Sequence, residues 1–292
     1  MTDLSQLVRE ELSVPVDPLV TRMAAAIAAR HSDASRAVLF YGSCLWLQKL
    51  DGLMLDFYLI VSDYRAAYGR GWQAFANQIL PPNVYPFEQD GMIAKYAVLN
   101  EADFWRECGP DAATVSVWAR FAQPSRLVWA RDGQSADYAI ACVARAAPAL
   151  FTWTLPVAGS NADELTVWRR GFELTYDSEL RAERGGRPDQ IVDVDNERYR
   201  RFGSVARAAV NKTVSEDEAV AAWRGFRRRG KFLTLARLAK ASTTFGGGID
   251  YLAWKIGRHS GTKIMLKPWH RRWPLLAALV LLPRLLRQGA IR

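Results

Sequence analysis

The chain of 292 residues is poor in the side chains that build metal clusters and disulfide frameworks. It has three cysteines, Cys44, Cys108 and Cys142, odd in number and far apart. No Cys-x-x-Cys and no Cys/His ligand spacing exists, which argues against a zinc site or a disulfide scaffold. Isolated thiols fit a reducing compartment. Histidine is equally scarce. His31, His259 and His270 are scattered with no nucleophile partner, and they read as structural or surface groups. The N-terminus, MTDLSQLVREELSVPVD, holds four acids and no apolar stretch. It is expected to be neither a secretory signal nor a transit peptide. No internal repeat or low-complexity tract is visible.

Half of the residues are hydrophobic, enough for a sizeable core in one large or two modest domains. The Ala- and Arg-rich usage suggests a bacterial source. The net charge of +9 is unevenly spread. Arg224–Arg292 carries sixteen Lys/Arg against one acid, Asp250, a net +15. The rest holds 23 basic and 29 acidic residues, a net −6. A mildly acidic body thus carries a very basic C-terminal segment, suited to polyanions such as phospholipid headgroups or nucleic acid.

The most informative stretch is Phe40–Val61, FYGSCLWLQKLDGLMLDFYLIV. An apolar run, Ala37–Tyr41, stops at Gly42-Ser43. A second run, Leu53–Val61, carries one carboxylate, Asp56, and a lone acid in a strand pattern needs a partner. A Gly-Ser turn followed by a strand-borne Asp is a nucleotidyltransferase device. The glycine admits backbone N–H groups to phosphates and the serine adds a donor. The Asp offers a hard oxygen to Mg²⁺. A second acid, usual two residues on, is replaced by Tyr58. A buried structural Asp beside an ordinary strand–helix turn explains the same residues.

Around this stretch the pattern predicts helices over Asp17–Arg30 and Ala66–Ile79, and a helix beginning in Ser43–Lys49. Met92–Leu99 reads as a strand with Lys95 inside it. Glu101–Glu107 and Ser116–Phe121 read as short helical pieces, and Leu127–Val128 begins an extended segment. From Asp137 the chain turns helical, with Ala139–Leu150, Glu164–Tyr176, Glu197–Val210 and Glu216–Phe226. The expected divisions are a catalytic domain over 1–135, a helical domain over 136–225 and a membrane-docking segment over 226–292.

Four further segments join the opening one in a resemblance to the mitochondrial translocator assembly and maintenance protein family, the mitochondrial-type phosphatidate cytidylyltransferases. Tyr41-Gly42-Ser43 and Leu55-Asp56-Phe57 resemble its Y-G-S turn and I-D-F strand. Ile93–Val98, with Lys95-Tyr96, is similar to its I-K-Y-G-V. Ala119–Val128, with Arg120 and Pro124, is similar to its G-R-L-x-K-P-V. Thr175–Glu183, with Tyr176, Glu179 and Arg181, resembles a helical S-Y-x-x-D-x-R block. The likeness covers about Ala37 to Phe202. The chain departs from the family at Cys44, Gln123 and Glu179, and it lacks the family's Trp-His pair near Ala66–Trp72.

The resemblance implies an α/β (α+β) fold. A nucleotidyltransferase-type mixed sheet with flanking helices would be followed by a smaller helical, winged-helix-like domain and the basic C-terminal segment. It implies that CTP and phosphatidic acid give CDP-diacylglycerol and pyrophosphate with Mg²⁺. On that expectation Asp56 and Lys95 are catalytic. Gly42, Ser43, Lys95, Tyr96 and Arg120 bind nucleotide. Asp56 and Glu179 hold the metal, and Arg181 and Tyr176 meet the substrate phosphate. Lys95 facing water from an edge strand, a solvated Glu179 and surface salt bridges for the arginines are the plainer readings.

Phosphatidic acid lies in a bilayer, and Lys267–Arg292 offers a way to reach it. Trp269 and Trp273 suit an interfacial belt. Pro274–Leu286, with Leu275, Leu279 and Leu282, is 13 residues long, short of the ~20 needed to span. The segment is expected to lie on one leaflet with Arg271 and Arg272 at headgroup level, and Arg227–Lys240 adds attraction to an anionic surface. The expected location is the cytoplasmic face of a bacterial inner membrane, as a peripheral protein that is not secreted and binds no nucleic acid. Two alternatives stay open: a nucleotidyltransferase acting on RNA, and a catalytically drifted membrane-associated assembly or binding protein.

Overall fold

A computed structural model describes residues 3–45, 53–159, 161–179, 188–244 and 267–269. Two helices, α1 (Leu4–Leu12) and α2 (Pro18–Ala29), lead into β1 (Ser35–Tyr41) and β2 (Met54–Val61). Then come α3 (Tyr64–Tyr68), α4 (Trp72–Ile79), β3 (Asn83–Gln89), β4 (Met92–Asn100), α5 (Glu101–Cys108), α6 (Trp118–Phe121) and β5 (Ser125–Ala130). From there every described element is a helix: α7 (Gly133–Ala144), α8 (Ala146–Ala158), α9 (Glu164–Ser178), α10 (Pro188–Asp193), α11 (Asn196–Ala208) and α12 (Glu216–Thr244). Side-chain oxygens of Asp17, Asp63, Asp132, Asp163 and Asp195 accept from the first-turn N–H groups of α2, α3, α7, α9 and α11. Such caps satisfy donors that a helix start leaves orphaned.

The fold is α/β, with a mixed five-stranded sheet in the order β3-β4-β2-β1-β5 and helices on both faces. Only the β2–β4 pair is parallel. Alternation along β2 sends Leu55, Phe57, Leu59 and Val61 to one face, where α2, α3 and α4 contribute Met23, Ile27, Tyr64 and Ala74. Tyr58 and Ile60 point to the other face, into a core that also takes residues of α1, α5 to α9, α11 and α12.

Several sequence expectations change. The single helix expected over Ala66–Ile79 is two, because Gly69 at φ +69° closes α3. The sequence reading missed β3. It begins just after Pro81-Pro82 and contains Pro86, which an edge strand tolerates because it need not donate on both sides. α12 runs unbroken across the expected boundary at 226. Near the other boundary, β5 ends at Ala130 and α7 starts at Gly133, yet the sheet and the later helices share one core. The stretch Gly133–Ala158 is long and apolar enough to cross a membrane, but more than half of it is buried inside the protein. Leu150 and Phe151 are fully enclosed, with the Phe151 ring 4.9 Å from that of Trp168.

Candidate active site

The C-terminal end of β1 and the N-terminal ends of β2 and β4 meet at one end of the sheet. Register places Asp56 between Tyr41 of β1 and Lys95 of β4. All three side chains therefore share one face. Lys95 Nζ stands 3.0 Å from Asp56 Oδ1. That oxygen is sealed from solvent and takes no well-directed hydrogen bond, so the lysine meets it as a charge. Because β4 lies inside the sheet, Lys95 is not an edge-strand lysine; its partner is the acid beside it.

The turn after β1 closes over this pair. Gly42 has φ +97°, a conformation L residues rarely adopt, and a Cβ there would stand 3.3 Å from Asp56 Oδ2. Ser43 opens a 3-10 turn, Ser43–Leu45. The remainder of the helix expected over Ser43–Lys49 lies outside the described residues. Cys44 is buried, with Sγ 3.5 Å from the Met54 carbonyl oxygen, and burial followed by the Asp56 charge pushes its thiol pKa up. Gly42→Ala should cost about 1–2 kcal/mol from the left-handed backbone alone. The added methyl also crowds the Asp56 carboxylate. Lowered melting is the expected outcome; a variant with wild-type melting would refute the strain.

Beyond Tyr41 the same face carries a second ion pair. Arg120 Nη1 lies 3.1 Å from Glu179 Oε1 and also donates to the Ser116 carbonyl. Burial works against the Arg120 charge, but Glu179, Tyr58 and Tyr41 outweigh it and hold the guanidinium pKa well above its ordinary value. Burial raises the Tyr41 phenol well above its usual range, with the Asp56 charge acting in the same direction. The rings of Tyr41, Tyr58 and Phe121 pack at centroid distances of 5.3–5.9 Å and wall this end of the sheet.

Two further cations come from α12. Arg237 donates to Ser116 Oγ at 3.3 Å and to the Pro81 carbonyl at 2.8 Å. Lys240 donates to the carbonyls of Leu80 and Pro82, the latter at 3.0 Å. These residues sit in the basic run expected to face a membrane; the structure turns them inward. Sequence reasoning missed Arg237 as a neighbour of Arg120, because in a basic helix an inward arginine carries the same signal as a solvated one. Burial, with the Arg237 charge behind it, lowers the Lys240 pKa from 10.5 to about 7. Between those values the unfolded chain holds more protons than the folded one, so this group makes stability rise with pH. Below pH 7 the penalty is fully present. From pH 7 to 10, wild-type melting should therefore climb relative to Lys240→Met; parallel profiles would refute the assignment.

The expected site residues separate into groups. Gly42, Ser43, Asp56 and Lys95 come together, and Arg120 joins Glu179 next to Tyr41. Tyr96 does not join them. It follows Lys95 in a strand, so it points to the opposite face, where it is buried beside His31, Tyr85 and Phe87. That correction follows from period-two alternation, a signal already present in the sequence. Tyr176 is half-buried in the last turn of α9, one turn before Glu179. Arg181 lies outside the described residues, as do Arg271, Arg272, Trp273, Leu275, Leu279 and Leu282. Trp269 is described and is 39% exposed.

No family model matches the sequence, and no curated protein matches it. Among nine solved chains that match is a nucleotidyltransferase-like protein from Exiguobacterium sibiricum 255-15. It covers 92% of this chain and 92% of its own, at 10% identity and a TM-score of 0.29. At that superposition the likeness carries no argument about activity.

The donor set divides on the expected Mg²⁺. Asp56 fits, since magnesium takes one or two carboxylates and completes its shell with substrate phosphates and water. Glu179 would have to share its carboxylate with Arg120, which meets Oε1 at 3.1 Å. Among the described residues no group of three or more His, Cys, Asp or Glu side chains could hold a metal.

Proposed function

We propose that the chain is a nucleotidyltransferase that joins CTP to phosphatidic acid, releasing pyrophosphate and CDP-diacylglycerol at a membrane surface. The observation that carries this reading is the Gly42 turn pressed on Asp56 with Lys95 beside it. A positive-φ glycine at a strand end lets backbone N–H groups come close to an anion, the arrangement a phosphate site uses. The ordered resemblance around Lys95, Arg120 and Tyr176–Glu179 supplies the substrate class.

Phosphatidate is already an anion at neutral pH, so the reaction needs no strong general base. A lipid phosphate oxygen attacks the α-phosphorus of CTP, the bond to the bridging oxygen breaks, and pyrophosphate leaves with its electron pair. The protein must hold these groups in line and screen repulsion between two phosphates. Lys95 lies next to the turn and serves the triphosphate. Arg120 and Arg237, both bonded to Ser116, place positive charge on the same face. Asp56 would hold Mg²⁺, which when bound neutralises developing charge on phosphate oxygens. The proposed location is the cytoplasmic face of a bacterial inner membrane.

The test is direct. Purified protein with radiolabelled CTP, Mg²⁺ and phosphatidate in detergent micelles should form labelled CDP-diacylglycerol, and CTP should be preferred among the four triphosphates. Absence of lipid product sinks the reading. Incorporation of label into RNA instead would replace the lipid acceptor with RNA.

A further inference from the structure

Helix α4 wears its apolar face outward. Trp72, Phe75 and Ile79 lie at i, i+3 and i+7, one stripe of a helix. They are 54%, 66% and 66% exposed. The side turned inward holds small and polar residues. Ala74 packs into the core, and Asn77 Nδ2 donates to the Val98 carbonyl at 3.0 Å. A surface helix normally has the reverse arrangement, and an exposed contiguous apolar stripe marks an interaction surface.

The charge around the stripe names the partner. No acid occurs between Asp63 and Glu88, while Arg65 and Arg70 are exposed just before the helix. Trp and Phe preceded by arginine, in a stretch free of acids from Tyr64 to Phe87, is the composition of a helix that lies in the headgroup layer of an anionic bilayer. A protein partner would need no such one-signed rim. The helix also ends at the cation cluster: Ile79 precedes Leu80, whose carbonyl accepts from Lys240, and Pro81, whose carbonyl accepts from Arg237.

We propose that α4 is a bilayer-docking element that inserts Trp72, Phe75 and Ile79 among acyl chains at an anionic surface, independently of residues 267–292. The docking assignment stands apart from the chemistry proposed above and is tested without it. Full-length protein is floated with phosphatidylcholine vesicles that contain or lack phosphatidic acid. The triple variant Trp72→Gln, Phe75→Gln, Ile79→Gln should lose at least about tenfold in partition to the phosphatidate vesicles. Arg65→Gln with Arg70→Gln should reduce the part of binding that phosphatidate adds and that salt removes. All five side chains are exposed, so these variants should melt like wild type.

Unchanged partition of the triple variant overturns the proposal. So does vesicle binding that vanishes on deletion of residues 267–292 but ignores the α4 changes. A wild-type dimer that becomes monomeric in the triple variant, with vesicle binding intact, assigns the stripe to a second copy and also overturns it. CTP binding without vesicles keeps the two readings separate. It should be equal in wild type and triple variant. If wild type binds no CTP while flotation still depends on α4, the transferase reading falls and the docking element remains.

Discussion

On the proposed function, Asp56→Asn should lower CDP-diacylglycerol formation by about two to three orders of magnitude, the scale lost when one well-placed charge-stabilising group is removed from an active site. The substitution keeps the volume and shape of the side chain, so the strand pairing with Tyr41 and Lys95 survives. It removes the one negative charge between the Gly42 turn and the Lys95 ammonium. Two consequences follow. A metal held there would lose its carboxylate, and Lys95 loses the group that fixes its position. Lys95→Met separates them, since it leaves the carboxylate in place and removes only the cation. Asp56→Asn should melt close to wild type, whereas Lys95→Met leaves the sealed Asp56 Oδ1 without its charge partner and should melt lower. Activity within a few-fold of wild type in Asp56→Asn would leave Asp56 as a structural acid.

The largest effect on stability is expected at a different ion pair. Arg198 of α11 and Glu11 of α1 form a buried ion pair, with side chains 6% and 12% exposed. The pair is bidentate: Nε meets Oε2 at 2.5 Å and Nη2 meets Oε1 at 2.9 Å. The guanidinium also bonds to the Ala122 carbonyl and lies 4.3 Å from the centre of the Phe202 ring. Burial opposes the charge on Arg198, but Glu11 outweighs it and raises the pKa. Glu11→Ala strands that charge without a partner and should cost about 3–5 kcal/mol. The double variant Glu11→Leu, Arg198→Met removes both charges and should recover most of the loss. Urea denaturation measures both. A cost under about 1 kcal/mol for Glu11→Ala would put the pair among exposed ones and refute its burial.

The parts of the fold that rest on local pattern were legible. Apolar runs marked β1, β2 and β4, and capped, periodic segments marked α2, α5, α9 and α11. β3 was hidden because prolines flank and interrupt it, and only its place at the sheet edge makes that acceptable. The split between α3 and α4 depended on the backbone angle at Gly69, which composition does not state. In the candidate site, Gly42, Ser43 and Asp56 were legible as a turn and a lone strand acid. The pairing of Asp56 with Lys95 was not, because it depends on the register of two parallel strands separated by two helices and a third strand. Glu179 enters as a metal ligand through the family resemblance, which places an acid there, whereas its contact with Arg120 spans 59 positions of chain and leaves no local signal. Arg237 escaped notice because the sign of a charge is written in the sequence and its direction is not.

The single core that joins the sheet to the later helices also constrains how the chain is born. A nascent chain that has emerged as far as β5 has Leu39, Tyr58, Ile60, Ala97 and Leu99 along one sheet face. Their cover includes Leu150, Phe172 and Trp223, which are translated later. Chains complete their domains as units during synthesis, and long-range contacts close slowly. The sheet of this protein must therefore wait, half dressed, for residues translated well after β5, as far along as Trp223. That interval is when chaperones and aggregation compete for it, and a message truncated after β5 would yield a sticky fragment instead of a small working domain.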